Sequence, residues 1–128
     1  MAQKNVGLAR RSSLGVSLLC FCLVLHIEVS TSATFHVGDS GGWILGVESW
    51  PKGKSFKAGD KLVFVYNTSY HNVVVVDAAG YRNCTARQDA KEYDSGHDTI
   101  TLTKGDNYFI CSVPDHCDGG MKIAVKAT

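Results

Sequence analysis

The 128 residues carry 13 Lys and Arg against 12 Asp and Glu, a formal net charge of +1. A balance this even argues against a nucleic-acid or anionic-membrane partner. The length allows one small domain, which at this size commonly needs a disulfide or a metal beside its core.

Lys4, Arg10 and Arg11 form a basic start, Leu14 to Ile27 is almost wholly apolar, and Ser30-Thr31-Ser32 supplies small residues. This is the pattern of a secretory signal peptide. The apolar run, 14 residues long, is shorter than the roughly 20 that cross a bilayer. The expected organisation is a signal peptide over 1–32, cleaved near Ser32 or Ala33, and one domain over 33–128. Cleavage removes three basic residues and Glu28, leaving ten Lys and Arg against eleven Asp and Glu, a net charge of −1. No apolar tail follows Met121, so no membrane anchor is expected.

Along the domain, Thr34-Phe-His-Val37 alternates and predicts a first strand. Gly38 to Gly42 and Ser49-Trp-Pro-Lys-Gly-Lys54 are turn clusters, with Trp43 and Trp50 as packing aromatics. Lys61 to Tyr66 is an apolar run of strand length. Asn72 to Asp77 holds four consecutive valines, which predict a buried strand with His71 at its head. Ala78-Ala-Gly80 is expected to turn, and the polar stretch 85–93 is the one place where a helix is expected. Thr99 to Thr103 alternates, Asn107 to Cys111 forms the next strand, and Met121 opens the last. Short strands between turn signals predict an all-β, two-sheet sandwich with one short helix. Asn67-Thr-Ser69 and Asn83-Cys-Thr85 are N-glycosylation sequons, which suit a secreted chain.

Cys20 and Cys22 leave with the signal peptide, so Cys84, Cys111 and Cys117 remain. An odd count means one disulfide and one thiol with another task, and counting alone leaves three pairings open. Cys111, His116 and Met121 stand at five-residue steps on one stretch that ends Gly119-Gly120-Met121. A thiolate, an imidazole and a thioether are soft or borderline donors that suit copper, and His71 is the candidate second imidazole. This set predicts a blue-copper site of two imidazoles and a thiolate with a weak axial thioether. Zinc is the rival metal, but a Met ligand is foreign to zinc sites. Giving Cys111 to the metal pairs Cys84 with Cys117. His36 and His97 have no matching partners and are expected to be surface residues.

Six stretches together resemble the phytocyanins, the plant blue-copper branch of the cupredoxins. They are Gly41-Gly-Trp43, Ser49 to Lys54, Ala58-Gly-Asp60, His71 to Val76, Tyr108 to Cys111, and His116-Cys117 before Gly120 to Val125. The resemblance covers the whole domain and is nearest to the plantacyanin, or basic blue, branch. It implies a cupredoxin-like Greek-key sandwich, and His71, Cys111 and His116 as strong copper ligands. It also implies Met121 as the axial ligand and a Cys84–Cys117 disulfide. Met at 121 separates the chain from the stellacyanin-like branch, which carries Gln there. Basic members are strongly cationic, and a domain of charge −1 departs from that pattern.

The function implied is a secreted, monomeric one-electron carrier of the extracellular space and plant cell wall, with an unidentified redox partner and no enzymatic activity. His116, on a loop, is expected to be the exposed imidazole, and His71 the inner one. The alternative implied by the same resemblance is cell-wall signalling or adhesion in plant reproduction or development, with copper structural or incidental.

Overall fold

The computed structural model describes residues 31–128; the expected signal peptide up to residue 30, with Cys20 and Cys22, lies outside the described residues. The strands are β1 (Thr34–His36), β2 (Lys61–Val65), β3 (Val73–Val76), β4 (Glu92–Tyr93), β5 (His97–Thr101), β6 (Gly105–Ile110) and β7 (Lys122–Ala127). Among the described residues the one α-helix is α1 (Ala78–Asn83), and short 3-10 turns occupy Asp39–Gly41 and Val47–Ser49.

Three strands form one sheet in the order β1-β2-β5, and four form the other in the order β4-β3-β6-β7. β1 runs parallel to β2, with Phe35 opposite Leu62. The other pairings between the described strands are antiparallel, with Leu62 opposite Ile100 and Phe109 between Val75 and Ile123. Alternation decides which side chains meet. In β5 the buried positions are Asp98 and Ile100, and in β7 they are Ile123, Val125 and Ala127. Leu62 and Phe64 from one sheet share a core with Val73, Phe109, Ile123 and Val125 from the other. Phe64 and Phe109 meet across it at 5.2 Å between ring centroids, and Trp43 stands edge-on to Phe64 at 5.1 Å. Phe64 and Phe109 are both buried, and each such side chain contributes roughly 1.5–3 kcal/mol by leaving water.

The four valines of β3 have a further cause. Val74 packs with Ile110 and Cys117 in a second small cluster on the outer face of its sheet, beneath Tyr81, Cys84 and Ala90. A strand covered on both faces loses the need to alternate. The cover thins along the strand, so Val75 and Val76 are only half-buried.

The helix lies earlier than its expected place. Residues 85–93 are not helical; they form a loop and the edge strand β4, where Glu92 pairs with Val74. The turn expected at Ala78-Ala-Gly80 is instead the start of α1. Asp77 caps it, its carboxylate accepting from the Gly80 N–H at 2.8 Å. Cys84 ends it in the left-handed region at φ 52°. The stretch 85–93 has good helix formers but no apolar stripe to bury, and short isolated helices are marginal without one.

Candidate metal centre

One residue, Asn72, separates His71 from β3, and Cys111 immediately follows β6. Val74 lies opposite Ile110 in the antiparallel ladder, so continuing that register brings the head of β3 beside the end of β6. Sheet pairing alone therefore places the first imidazole near the thiol.

The chain then makes a tight loop. His116 N–H donates to Val113 O, Gly119 N–H to Asp115 O, and Gly120 N–H to Cys117 O, all at 3.0–3.1 Å. Asp115 and Gly120 take positive φ, 69° and 88°. Two further bonds close the loop at its neck. Met121 N–H donates to His116 O, and Cys111 N–H donates to Met121 O, each at 3.0 Å. Cys111, His116 and Met121 are thus tied to one another through their main chains. Gly46 N–H donates to Gly119 O at 3.2 Å, and a side chain at Gly120 would meet the Gly46 backbone at 3.1 Å.

The donor atoms converge. One ligand atom each from His71, Cys111 and His116 lies within 4.8 Å of the others. The two Nδ1 atoms are 3.1 Å apart, and Cys111 Sγ is 3.6 Å from His116 Nδ1. Cys111 and Met121 are fully buried, so the sulfur side of the site is closed to water. Both imidazoles are half-buried, so exposure does not separate an inner from an outer histidine as the sequence suggested. Burial, and then the neighbouring His116, push the His71 imidazole below its ordinary value. That favours the neutral ring, the form that ligates a metal. Two imidazoles and a thiolate with a buried Met beside them match soft-to-borderline metal chemistry, copper above zinc.

Asn72 was not among the expected site residues, yet it fastens the site. Its side chain donates to Ser112 Oγ at 2.7 Å and Glu92 Oε1 at 2.9 Å, and accepts from the Ser112 N–H at 2.9 Å. Its carbonyl accepts from the buried Trp43 indole at 2.8 Å. Asn72 follows His71 and Ser112 follows Cys111, so these bonds hold the two ligand-bearing ends in register. The available signal was a lone amide heading a run of valines.

Cys84 and Cys117 form a disulfide, with their Cα atoms 5.6 Å apart, and Cys111 is a free, buried thiol. The disulfide links the end of α1 to the residue after His116. His36 and His97 are exposed strand residues away from the cluster.

The plastocyanin-like domain family matches residues 43–121, a span that holds all four candidate ligands. The chain belongs to the phytocyanin family of plastocyanin-like proteins. Chemocyanin of Lilium longiflorum is 54% identical over 127 residues, covering 99% of this chain and 99% of its own. A basic blue protein of Arabidopsis thaliana is 54% identical over 105 residues, covering 82% of this chain and 81% of its own. The solved structure of cucumber basic protein, a blue copper protein, superposes with a TM-score of 0.74 at 57% identity, over 75% of this chain and all of its own. The sandwich of this phytocyanin is accordingly the cupredoxin fold.

Proposed function

We propose that this phytocyanin is a secreted single-electron carrier with one copper ion held by His71, Cys111, His116 and, as the weak fourth donor, Met121. The observation that carries the reading is the meeting, within 4.8 Å, of donor atoms from His71 before β3 and from Cys111 and His116 on one distant loop. Copper in such a donor set supplies reversible one-electron chemistry between Cu(I) and Cu(II). The chain's own residues do the rest. Asn72 and the neck of the loop fix the donors, the buried sulfurs keep water out, and the half-exposed imidazoles leave one side approachable. A rigid donor set suits electron transfer because little needs to rearrange when the charge changes. Asn72, Ser112 and Glu92, the polar groups next to two of the donors, are engaged with one another, which fits a carrier better than an enzyme.

The same proposal takes residues 1–32 as a signal peptide, 33–128 as the mature monomeric domain, and the extracellular space or cell wall as its place. Asn67 and Asn83 are both exposed and are the proposed glycan acceptors on that route. Adding Cu(II) to the purified apoprotein should produce an intense blue colour with the EPR signal of a copper–thiolate site. A colourless product would end the blue-copper reading.

Exposed Ile44, Leu45 and Tyr70 offer a surface for a macromolecular partner. They favour one rival reading, an extracellular signalling or adhesion protein that needs no redox chemistry.

A further inference from the structure

Asp60 is a carboxylate only 3% exposed, in the turn before β2. Its Oδ1 accepts from the Ala33 N–H at 2.8 Å and its Oδ2 from the Lys57 N–H at 2.9 Å. Those two bonds, Ala33 first, hold the carboxyl below its usual range, so it is ionised at neutral pH. A carboxylate covered by main chain in this way gains from a cation placed against it. Among the described residues, no Lys or Arg side chain forms an ion pair with it, and Lys57 supplies only a weaker, longer-range attraction.

We propose that the chain is cut between Ser32 and Ala33, and that the freed α-ammonium of Ala33 is the cation that pairs with Asp60. The nitrogen in question already lies 2.8 Å from Oδ1. Hydrolysis therefore converts an amide donor into a charge-assisted one at a position already set. In the cut, water gives its hydroxyl to the Ser32 carbonyl carbon, the C–N bond breaks, and the Ala33 nitrogen takes the proton. A second proton from solvent completes the ammonium. The agent is a signal endopeptidase of the secretory membrane, reading the small residues Ser30 and Ser32 before the bond.

Sequence alone leaves a cut after Ala33 equally open. The structure separates the two. Lys61 N–H donates to Ala33 O at 2.8 Å, and this bond starts the parallel β1–β2 pairing that continues with Thr34 opposite Lys61. Losing Ala33 would remove that acceptor and the donor to Asp60 together. Signal removal on this account finishes the fold, because the new terminus becomes a charged clasp between the first strand and the second.

The inference rests on the secretory reading above, and its test has two arms. In the first, the full chain is expressed in plant cells and the protein in the medium is read by mass spectrometry. The expected N-terminus is Ala33; a start at Thr34 or elsewhere overturns the cut. Absence from the medium overturns it too, and a parallel chain with a foreign leader replacing residues 1–27 shows whether the native leader or the junction is at fault.

In the second arm, the secreted protein is compared with the same protein selectively acetylated at its α-amine. The free amine should raise the thermal midpoint by about 4 °C or more. The sign follows from linkage. An amine whose pKa is raised by a partner stabilises fully below its ordinary value of about 8, and the advantage fades as pH rises through the raised value. Lys57, in the same turn, and Lys61, opposite Thr34, are the other charged side chains near this corner. In Asp60→Asn the gap should vanish. If that variant fails to fold, the pH series on the wild-type pair decides alone. No gap between free and acetylated forms, a gap insensitive to pH, or a gap that persists in Asp60→Asn overturns the ion pair while leaving the secretory reading intact.

Discussion

Replacing Asn72 with Ala should loosen the site without touching a ligand. The side chain makes three hydrogen bonds, at 2.7–2.9 Å, to Ser112 and Glu92. Each is worth roughly 0.5–1.5 kcal/mol net, which bounds the total loss at about 1.5–4.5 kcal/mol. Glu92 and Ser112 are exposed and regain water when Asn72 is gone, so a value in the lower half, about 2 kcal/mol, is expected. For a domain of this size that lowers the thermal midpoint by roughly 8–16 °C. The assay is thermal unfolding of the metal-free protein with its disulfide intact, repeated for Ser112→Ala and the double variant. The two positions should couple by about 0.5–1 kcal/mol. Copper affinity should fall as well, because the lost bonds set the spacing between His71 and Cys111. A destabilisation below about 0.5 kcal/mol, with additive single effects, would refute the fastening role.

Four other outcomes are expected. Cys111→Ser should fold, since its thiol is outside the disulfide, but should give no blue colour with Cu(II); biological activity that survives this change would favour the signalling reading. Met121→Gln should keep a coloured site and lower its reduction potential, and an unchanged potential in voltammetry would remove Met121 from the ligand set. Removing the disulfide with Cys84→Ala and Cys117→Ala opens a loop with a sequence separation of 33, which should cost about 4 kcal/mol in urea unfolding; a loss under ~1 kcal/mol would show that the loop is held by other bonds. Burial, and then the hydrogen bond to Asp98, push the Tyr66 phenol well above its ordinary value of 10.0. Above that pH the unfolded chain sheds a proton that the folded chain keeps, so the Tyr66 contribution to stability should be constant below it and fall as pH rises beyond. Tyr66→Phe should flatten that fall, and an identical alkaline profile would refute the cause.

The sequence announced the site better than the frame that supports it. The cluster of candidate donors was legible because thiol, imidazole and thioether are rare types crowded into one stretch, and the same crowding singled out the disulfide. Strands were legible where apolar residues alternate, as in β5, or run together, as in β3. The helix was misplaced because propensity favoured 85–93, whereas α1 owes its position to the Asp77 cap and the constraint at Cys84. Both of these residues lie outside the helix, and both meet it at Gly80. Asn72 was invisible for a related reason. Its partners Glu92 and Ser112 are distant in sequence and become neighbours only through strand pairing. Both histidines prove half-buried because the loop and the head of β3 form one surface, which no reading along the chain could weigh.

The contact between Gly46 and Gly120 has a consequence for protein engineering. A side chain at Gly120 would press on the Gly46 backbone at 3.1 Å from a left-handed φ of 88°, and one at Gly119 would come within 2.5 Å of Leu45 Cδ2 and push that side chain aside. The loop from Cys111 to Met121 is therefore not a transplantable cassette. Grafted alone into another sandwich, it would arrive without the surface against which it is moulded. The portable unit is discontinuous and must include Leu45 and Gly46 with the loop.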